Sequence, residues 1–302
     1  MKAKQKNVLE NTIPVFAGSY MIIVFLIGMA LSNPGNYLGG NAVSRNIAFY
    51  NICVINTYKV FFIIDSIFSK NLFQVKSYFF IIIFSIITYC LCITEAIIAV
   101  NIPLSNITYY ILIIISLLIE FGFYIYKLKD FIKEYEWLYF KRIGSNYLLT
   151  DAYKLRQQSI VIFKMFCFNV LYSFSSLLDG SSLSVGLILI VLAEIVLSLI
   201  IIFINSVFRY EESKFIRYCE FFILITILLL QIIDVFDFSL NFDSNRAQKI
   251  FFYYFTAIKM LLTLILLGYL YVDYNNFGSG LKEQLECKNM ENERMSLKGE
   301  FL

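Results

Sequence analysis

Leu183-Ser-Val-Gly-Leu-Ile-Leu-Ile-Val-Leu-Ala-Glu194-Ile-Val-Leu-Ser-Leu-Ile-Ile-Ile-Phe-Ile-Asn-Ser-Val207 carries one charged side chain in 25 residues. A helix needs about 20 mostly apolar residues to cross a hydrocarbon core about 30 Å thick, and its backbone polar groups must be satisfied within the segment. This stretch is long enough. Its β-branched residues would favour a strand in water, but its length decides for a helix. Working outward, eight such spans are expected, at 13–32, 47–68, 77–99, 107–126, 158–178, 183–207, 216–236 and 250–272. The second and fifth each enclose a lysine, and seven spans remain if one of them fails. The first is too long for the apolar region of a signal peptide and precedes polar Ser32-Asn-Pro-Gly-Asn36, so it reads as a retained helix, with a cleaved signal the alternative.

Composition agrees. Of 302 residues, 59% are hydrophobic and 16% charged, against roughly 45–50% apolar and 25% charged in soluble domains. The expected fold is all-α, a polytopic transmembrane helical bundle over residues 1–272, with a polar, largely disordered tail over 273–302. Lysine and arginine in short loops set orientation. With the N-terminus inside, 19 of the 25 basic residues fall in cytosolic segments, while Arg45, Arg246 and Lys249 alone fall opposite. Both termini are therefore expected in the cytosol. The sequon Asn106-Ile-Thr108 then lies in a short luminal loop against the bilayer, where glycosylation is a candidate and a chance match the plainer reading.

The largest connection, 127–157, is expected on the cytosolic side. Leu128, Phe131, Tyr135 and Leu138 recur every three or four residues, an amphipathic helix with a basic polar face suited to the inner membrane surface. Trp137 would sit at headgroup level and Gly144 would end the helix. Tyr147 to Gln158 reads as a second helix leading into span five. The functional reading is a docking surface for anionic lipid or a cytosolic protein; the plainer one is a basic connector.

Ionisable groups inside a bilayer cost several kcal/mol unless paired, so each marks a candidate site. Lys59, Glu194 and Lys259 fall near the middle of their spans, and Asp65, Glu120 and Lys164 toward the cytosolic ends. Glu95 and Asp234 lie near luminal ends. The depths point to two clusters, Lys59–Glu194–Lys259 and Asp65–Glu120–Lys164. These are either a polar cavity for a substrate or proton, with Glu194 as the exchangeable carboxylate, or ion pairs that fix packing.

No catalytic chemistry stands out. The chain has no histidine, which excludes His-dependent metal sites and Ser–His or Cys–His nucleophile pairs. Five of the six cysteines fall inside expected spans without metal spacing, so neither a metal nor a cofactor is expected. A phosphate-binding loop is absent, as are the intramembrane aspartyl-protease signature and the multi-aspartate motif of alcohol phosphotransferases. The net charge of +3 leaves no footprint for nucleic acid. An enzyme is not expected, although acid–base chemistry by Glu or Lys stays open.

Several local patterns, in order over about 46–285, together resemble a fungal family of uncharacterised multispanning Golgi-apparatus membrane proteins. Asn46-Ile-Ala-Phe-Tyr-Asn51 through Asp65, followed by Lys70-Asn-Leu-Phe-Gln74, is similar to its aromatic-rich span and short loop. Trp137, Lys141, Gly144, Tyr153, Gln157 and Lys164 are similar to a Trp-X-X-X-Lys-X-X-Gly segment and the helix after it. Arg209 and Glu211 resemble an Arg/Glu pair, and Asn276-Phe277-Gly278-Ser279-Gly280-Leu281 fits an Asn-Phe-Gly-X-Gly-Leu motif. Phe166 stands where that family has an acidic residue two positions after the lysine, so Lys164 has either lost that role or found Glu120 instead. The resemblance implies Golgi residence and a polytopic helical fold, and no reaction. Three roles follow: a non-catalytic part in membrane organisation or trafficking, a small-solute or ion transporter, and a seven-helix-type receptor. The cytosolic N-terminus and the count of eight weigh against the receptor.

Overall fold

A computed structural model describes residues 16, 18, 20–23, 42–99, 104–143, 147–178, 185–208, 213–241 and 246–277. The described residues are almost all helical and include no strand. Helix α1 is described at 16, 18 and 20–23. It is followed by α2 (Ala42–Ser69), α3 (Leu72–Ala99), α4 (Leu104–Ile143), α5 (Tyr147–Leu178), α6 (Val185–Val207), α7 (Lys214–Asn241) and α8 (Arg246–Asn275). The chain is a helical membrane bundle; the seven expected spans from 47–68 onward fall on α2 to α8, and most of the first, 13–32, lies outside the described residues.

Large apolar side chains such as Leu189, Phe203, Phe222, Leu229 and Leu261 point outward, while Gln74, Glu120, Glu194, Arg217 and Gln231 are buried. That distribution inverts a water-soluble protein and suits hydrocarbon as solvent. Among the described residues, five helices are apolar and long enough to cross a membrane on their own, over Leu72–Leu91, Ile111–Glu136, Ile188–Val207, Lys214–Asp237 and Phe252–Asn275. Helices α2 and α5 each place a lysine inside the expected span, Lys59 and Lys164, and packing explains how they persist. Helix α5 touches α2, α3, α6 and α8, and α2 lies against α3 and α5. Interior helices can keep polar groups because protein covers them.

Helix α5 is also the wall between two apolar cores. Val161 belongs to one core with Phe16, Ile63, Val75, Tyr78 and Phe131, whereas Phe163 and Phe166 belong to another with Ile201, Leu224 and Leu266. Phe84 of α3 bridges the halves, its ring 5.5 Å from Phe168 of α5 and 5.7 Å from Phe255 of α8.

The segment 127–143 is not a separate helix lying on the membrane surface. It continues α4, which at 40 residues is about 60 Å long, twice the hydrocarbon thickness. The reason is a single stripe. Ile113, Leu117, Glu120, Tyr124, Phe131 and Tyr135 are all buried, with Leu128 packed beside them, so the expected membrane-facing side is spent on the bundle. The described exposed residues beyond it, Lys129, Asp130, Lys133 and Glu136, are mixed in sign rather than basic. Likewise, the helix expected from Tyr147 is the start of a continuous α5. Trp137 and Lys141 stand on the extension of α4, and Asn106 occupies its first turn rather than a loop.

Between α2 and α3 the chain turns at Lys70, which takes a left-handed φ of 52°. The Lys70 and Asn71 amides donate to Ile67 O at 3.3 Å and Ser66 O at 3.2 Å, the pairing of a Schellman turn. Asn71 Oδ1 then accepts from the amides of Phe73 and Gln74 at 3.0 and 3.3 Å, capping α3. Its Nδ2 donates to Gln157 Oε1 of α5 at 3.0 Å. Asn71→Ala is therefore expected to cost about 1 kcal/mol plus that link, readable as a lower unfolding midpoint in detergent.

Candidate functional site

Among the described residues the charged groups inside the bundle form four clusters: Glu194 pairs with Lys259 and Asp65 with Lys164, as depth pointed to, whereas Lys59 and Glu120 leave their expected clusters for each other. Lys59 Nζ is 2.6 Å from Glu120 Oε2, and both side chains are fully buried. Tyr78 donates its hydroxyl to the other oxygen of Glu120. The ring of Tyr78 packs edge-on against Phe16 at 5.5 Å and Tyr124 at 5.4 Å. Tyr124 in turn donates to Val75 O at 2.8 Å. Each polar group of this cluster meets a partner, as a low-dielectric interior requires.

Lys259 Nζ lies 2.7 Å from Glu194 Oε2. Gln231 Nε2 donates to Glu194 Oε1 at 3.0 Å. Thr263 donates to Lys259 O at 2.9 Å and stands 3.4 Å from Gln231 Oε1. Helices α6, α7 and α8 thus meet around one carboxylate. The expected triad of Lys59 with Glu194 and Lys259 does not form, because α5 stands between α2 and the α6–α8 layer.

Lys164 is paired with Asp65, and its Nζ also donates to Gln74 Oε1 at 2.9 Å. Gln74 Nε2 donates to Asp65 Oδ2 at 2.7 Å and to Phe62 O at 2.9 Å. Tyr58 donates to Lys164 O at 2.8 Å. Glu120 is therefore not the substitute partner of Lys164, and Asp65 is. The Asp65 side chain is half exposed, so this pair is screened and worth less than the buried ones.

The fourth cluster was not anticipated. Asp273 accepts from Arg156 Nε at 3.3 Å and Arg217 Nη2 at 3.1 Å, while Arg217 Nη1 donates to Glu220 Oε2 at 2.6 Å. All four side chains are buried. The Arg217 guanidinium also lies over the Phe277 ring, 5.6 Å from its centroid. Asp273, taken as the first residue of the polar tail, belongs to the bundle, because α8 continues to Asn275.

Several residues that carry the family resemblance come together here. Asp65, Asn71, Gln74, Gln157 and Lys164 form one knot, and Phe277 covers the Arg217–Asp273 knot. Arg156 and Gln157, neighbours on α5, reach into one knot each. The ends of α2, α3, α5, α7 and α8 that meet this way are those the positive-inside rule assigns to the cytosol. Gly144, Arg209, Glu211, Gly278, Gly280 and Leu281 lie outside the described residues. No family model, curated protein or solved structure matches the chain.

Tyr78, Gln231, Arg156, Arg217, Glu220 and Asp273 are cluster members that reasoning from sequence did not single out as site residues. Gln231 had a usable signal. It is an amide amid Leu228-Leu-Leu230 and Ile232-Ile233, and such a group needs a partner in lipid.

Proposed function

We propose that the protein is a multi-pass component of the Golgi or another secretory-pathway membrane with a non-catalytic role in membrane organisation or trafficking. One observation carries the reading: Lys59, Lys164 and Lys259, the three lysines within expected spans, are each closed onto a carboxylate of the bundle. Groups paired in this way hold helices in register and present no charge to a solute. The working surface is then the length of α4 and α5 beyond the bilayer, with Lys129, Asp130, Lys133 and Glu136 exposed on it. Mixed charge of that kind suits a cytosolic protein better than an anionic lipid surface. Order and spacing of the resembling residues support the compartment.

The experiment is steady-state localisation of the full-length chain with a small C-terminal tag, scored against Golgi and plasma-membrane markers. Golgi residence is expected, and plasma-membrane residence contradicts the reading. Lys129→Glu with Lys133→Glu should leave localisation and folding intact while weakening the function the chain supports.

A second reading, transport of a small solute or proton, is favoured by the convergence of α6, α7 and α8 on Glu194. Glu194→Gln separates the two. As a scaffold, the variant loses stability but the surviving folded protein rescues a deletion strain in proportion to its abundance. As a transporter, it fails to rescue at any abundance.

A further inference from the structure

Asp234 stands apart from the paired residues. It is 4% exposed, and its Oδ1 is buried without a hydrogen-bond partner. It lies on α7 one turn beyond Gln231, the residue that donates to Glu194. Lys259 of α8, Glu194 of α6 and Asp237 on its own helix are all within electrostatic reach. Lys259 is already committed to Glu194 Oε2, and Glu194 Oε1 to Gln231. Two buried carboxylates, Glu194 and Asp234, therefore lie within electrostatic reach of one ammonium, and those three groups together are electrically neutral only when they hold one proton. An uncompensated charge in the bundle costs several kcal/mol, whereas a protonated carboxyl does not carry that penalty.

We propose that Glu194, Asp234 and Lys259 form a proton-binding site in which Asp234, rather than Glu194, holds the exchangeable proton. Binding is the addition of one proton to the Asp234 carboxylate, with no other bond made or broken. Loss of that proton sets Asp234 against Glu194 as partners for Lys259, and so couples proton release to the contact between α6 and α8. The site lies 20 residues from the start of α7, about 30 Å along its axis, which places it nearer the side opposite the cytosolic helix ends. It requires neither functional reading above, since a trafficking scaffold and a transporter could both be governed by it.

The test is pH-difference infrared spectroscopy of the full-length chain in lipid bilayers, following the protonated-carboxyl C=O band. Asp234→Asn, neutral like the protonated acid, is expected to keep the wild-type melting temperature and to lose one protonated carboxyl per chain. Asp237→Asn should keep the Asp234 band. Lys259→Gln should add a second protonated carboxyl. If Asp234→Asn does not fold, Glu194→Gln serves instead: it frees Lys259 to pair with ionised Asp234, so the band should vanish. A band that persists in Asp234→Asn or Glu194→Gln, or that is absent from the wild-type chain, overturns the proposal.

Discussion

Glu120→Ala is expected to destabilise the bundle by about 3–5 kcal/mol, the cost of stranding one member of a buried ion pair. Lys59 is fully buried, so its ammonium has no route to water once the carboxylate 2.6 Å away is gone. Tyr78 loses its acceptor at the same time. Replacing both partners with neutral residues, Lys59→Met with Glu120→Gln, should recover most of the loss, because the net worth of a buried pair against well-packed neutral groups is small. Reversible unfolding in mixed micelles measures both. A double-variant loss equal to the sum of the two single losses would show that Lys59 and Glu120 do not meet.

Asp273→Ala should be comparably severe. One carboxylate serves two arginines on two helices, Arg156 of α5 and Arg217 of α7. Its removal leaves Arg217 with Glu220 alone and unties α8 from both neighbours, again at about 3–5 kcal/mol for a buried pair. Arg217→Lys should also be poorly tolerated, since an ammonium cannot donate to Asp273 and Glu220 from the fixed fork of a guanidinium. Lys164→Gln is the contrast. Its partner Asp65 is half exposed, and a screened pair contributes at most about 1 kcal/mol. Unfolding midpoints that rank Lys164→Gln with or above Asp273→Ala would contradict this ordering.

The course of the chain was legible because lipid imposes a length on every span. Helices α2 to α8 begin and end within a few residues of the expected spans, except where α4 and α5 run on. Both extensions were expected as helices, but the continuity of the first with its span was not, because a helix leaving the bilayer needs no breaker and the Leu128–Phe131–Tyr135 stripe looks the same whether it meets lipid or protein. The polar clusters were half legible. Position along a span gives depth, and depth correctly marked Lys59, Glu194 and Lys259 as interior residues. Pairing needs lateral adjacency as well, and nothing in the chain announces that α5 separates Lys59 from Glu194. Asp273 was misassigned because the polar composition begins there, although the helix does not end there. Asp234 was noticed only for its depth, and its lack of a partner at Oδ1 is visible only once α6 and α8 are in place.

The most direct test of this arrangement is a pair of crossed double-mutant cycles on the full-length chain in bilayers. Neutral substitutions at Lys59 and Lys259 are each combined with Glu120→Gln and with Glu194→Gln. Coupling of about 1–3 kcal/mol is predicted for Lys59 with Glu120 and for Lys259 with Glu194, with the crossed combinations additive to within about 0.5 kcal/mol. Coupling of Lys59 to Glu194, with none to Glu120, would contradict the packing of the bundle and the role assigned to its charges.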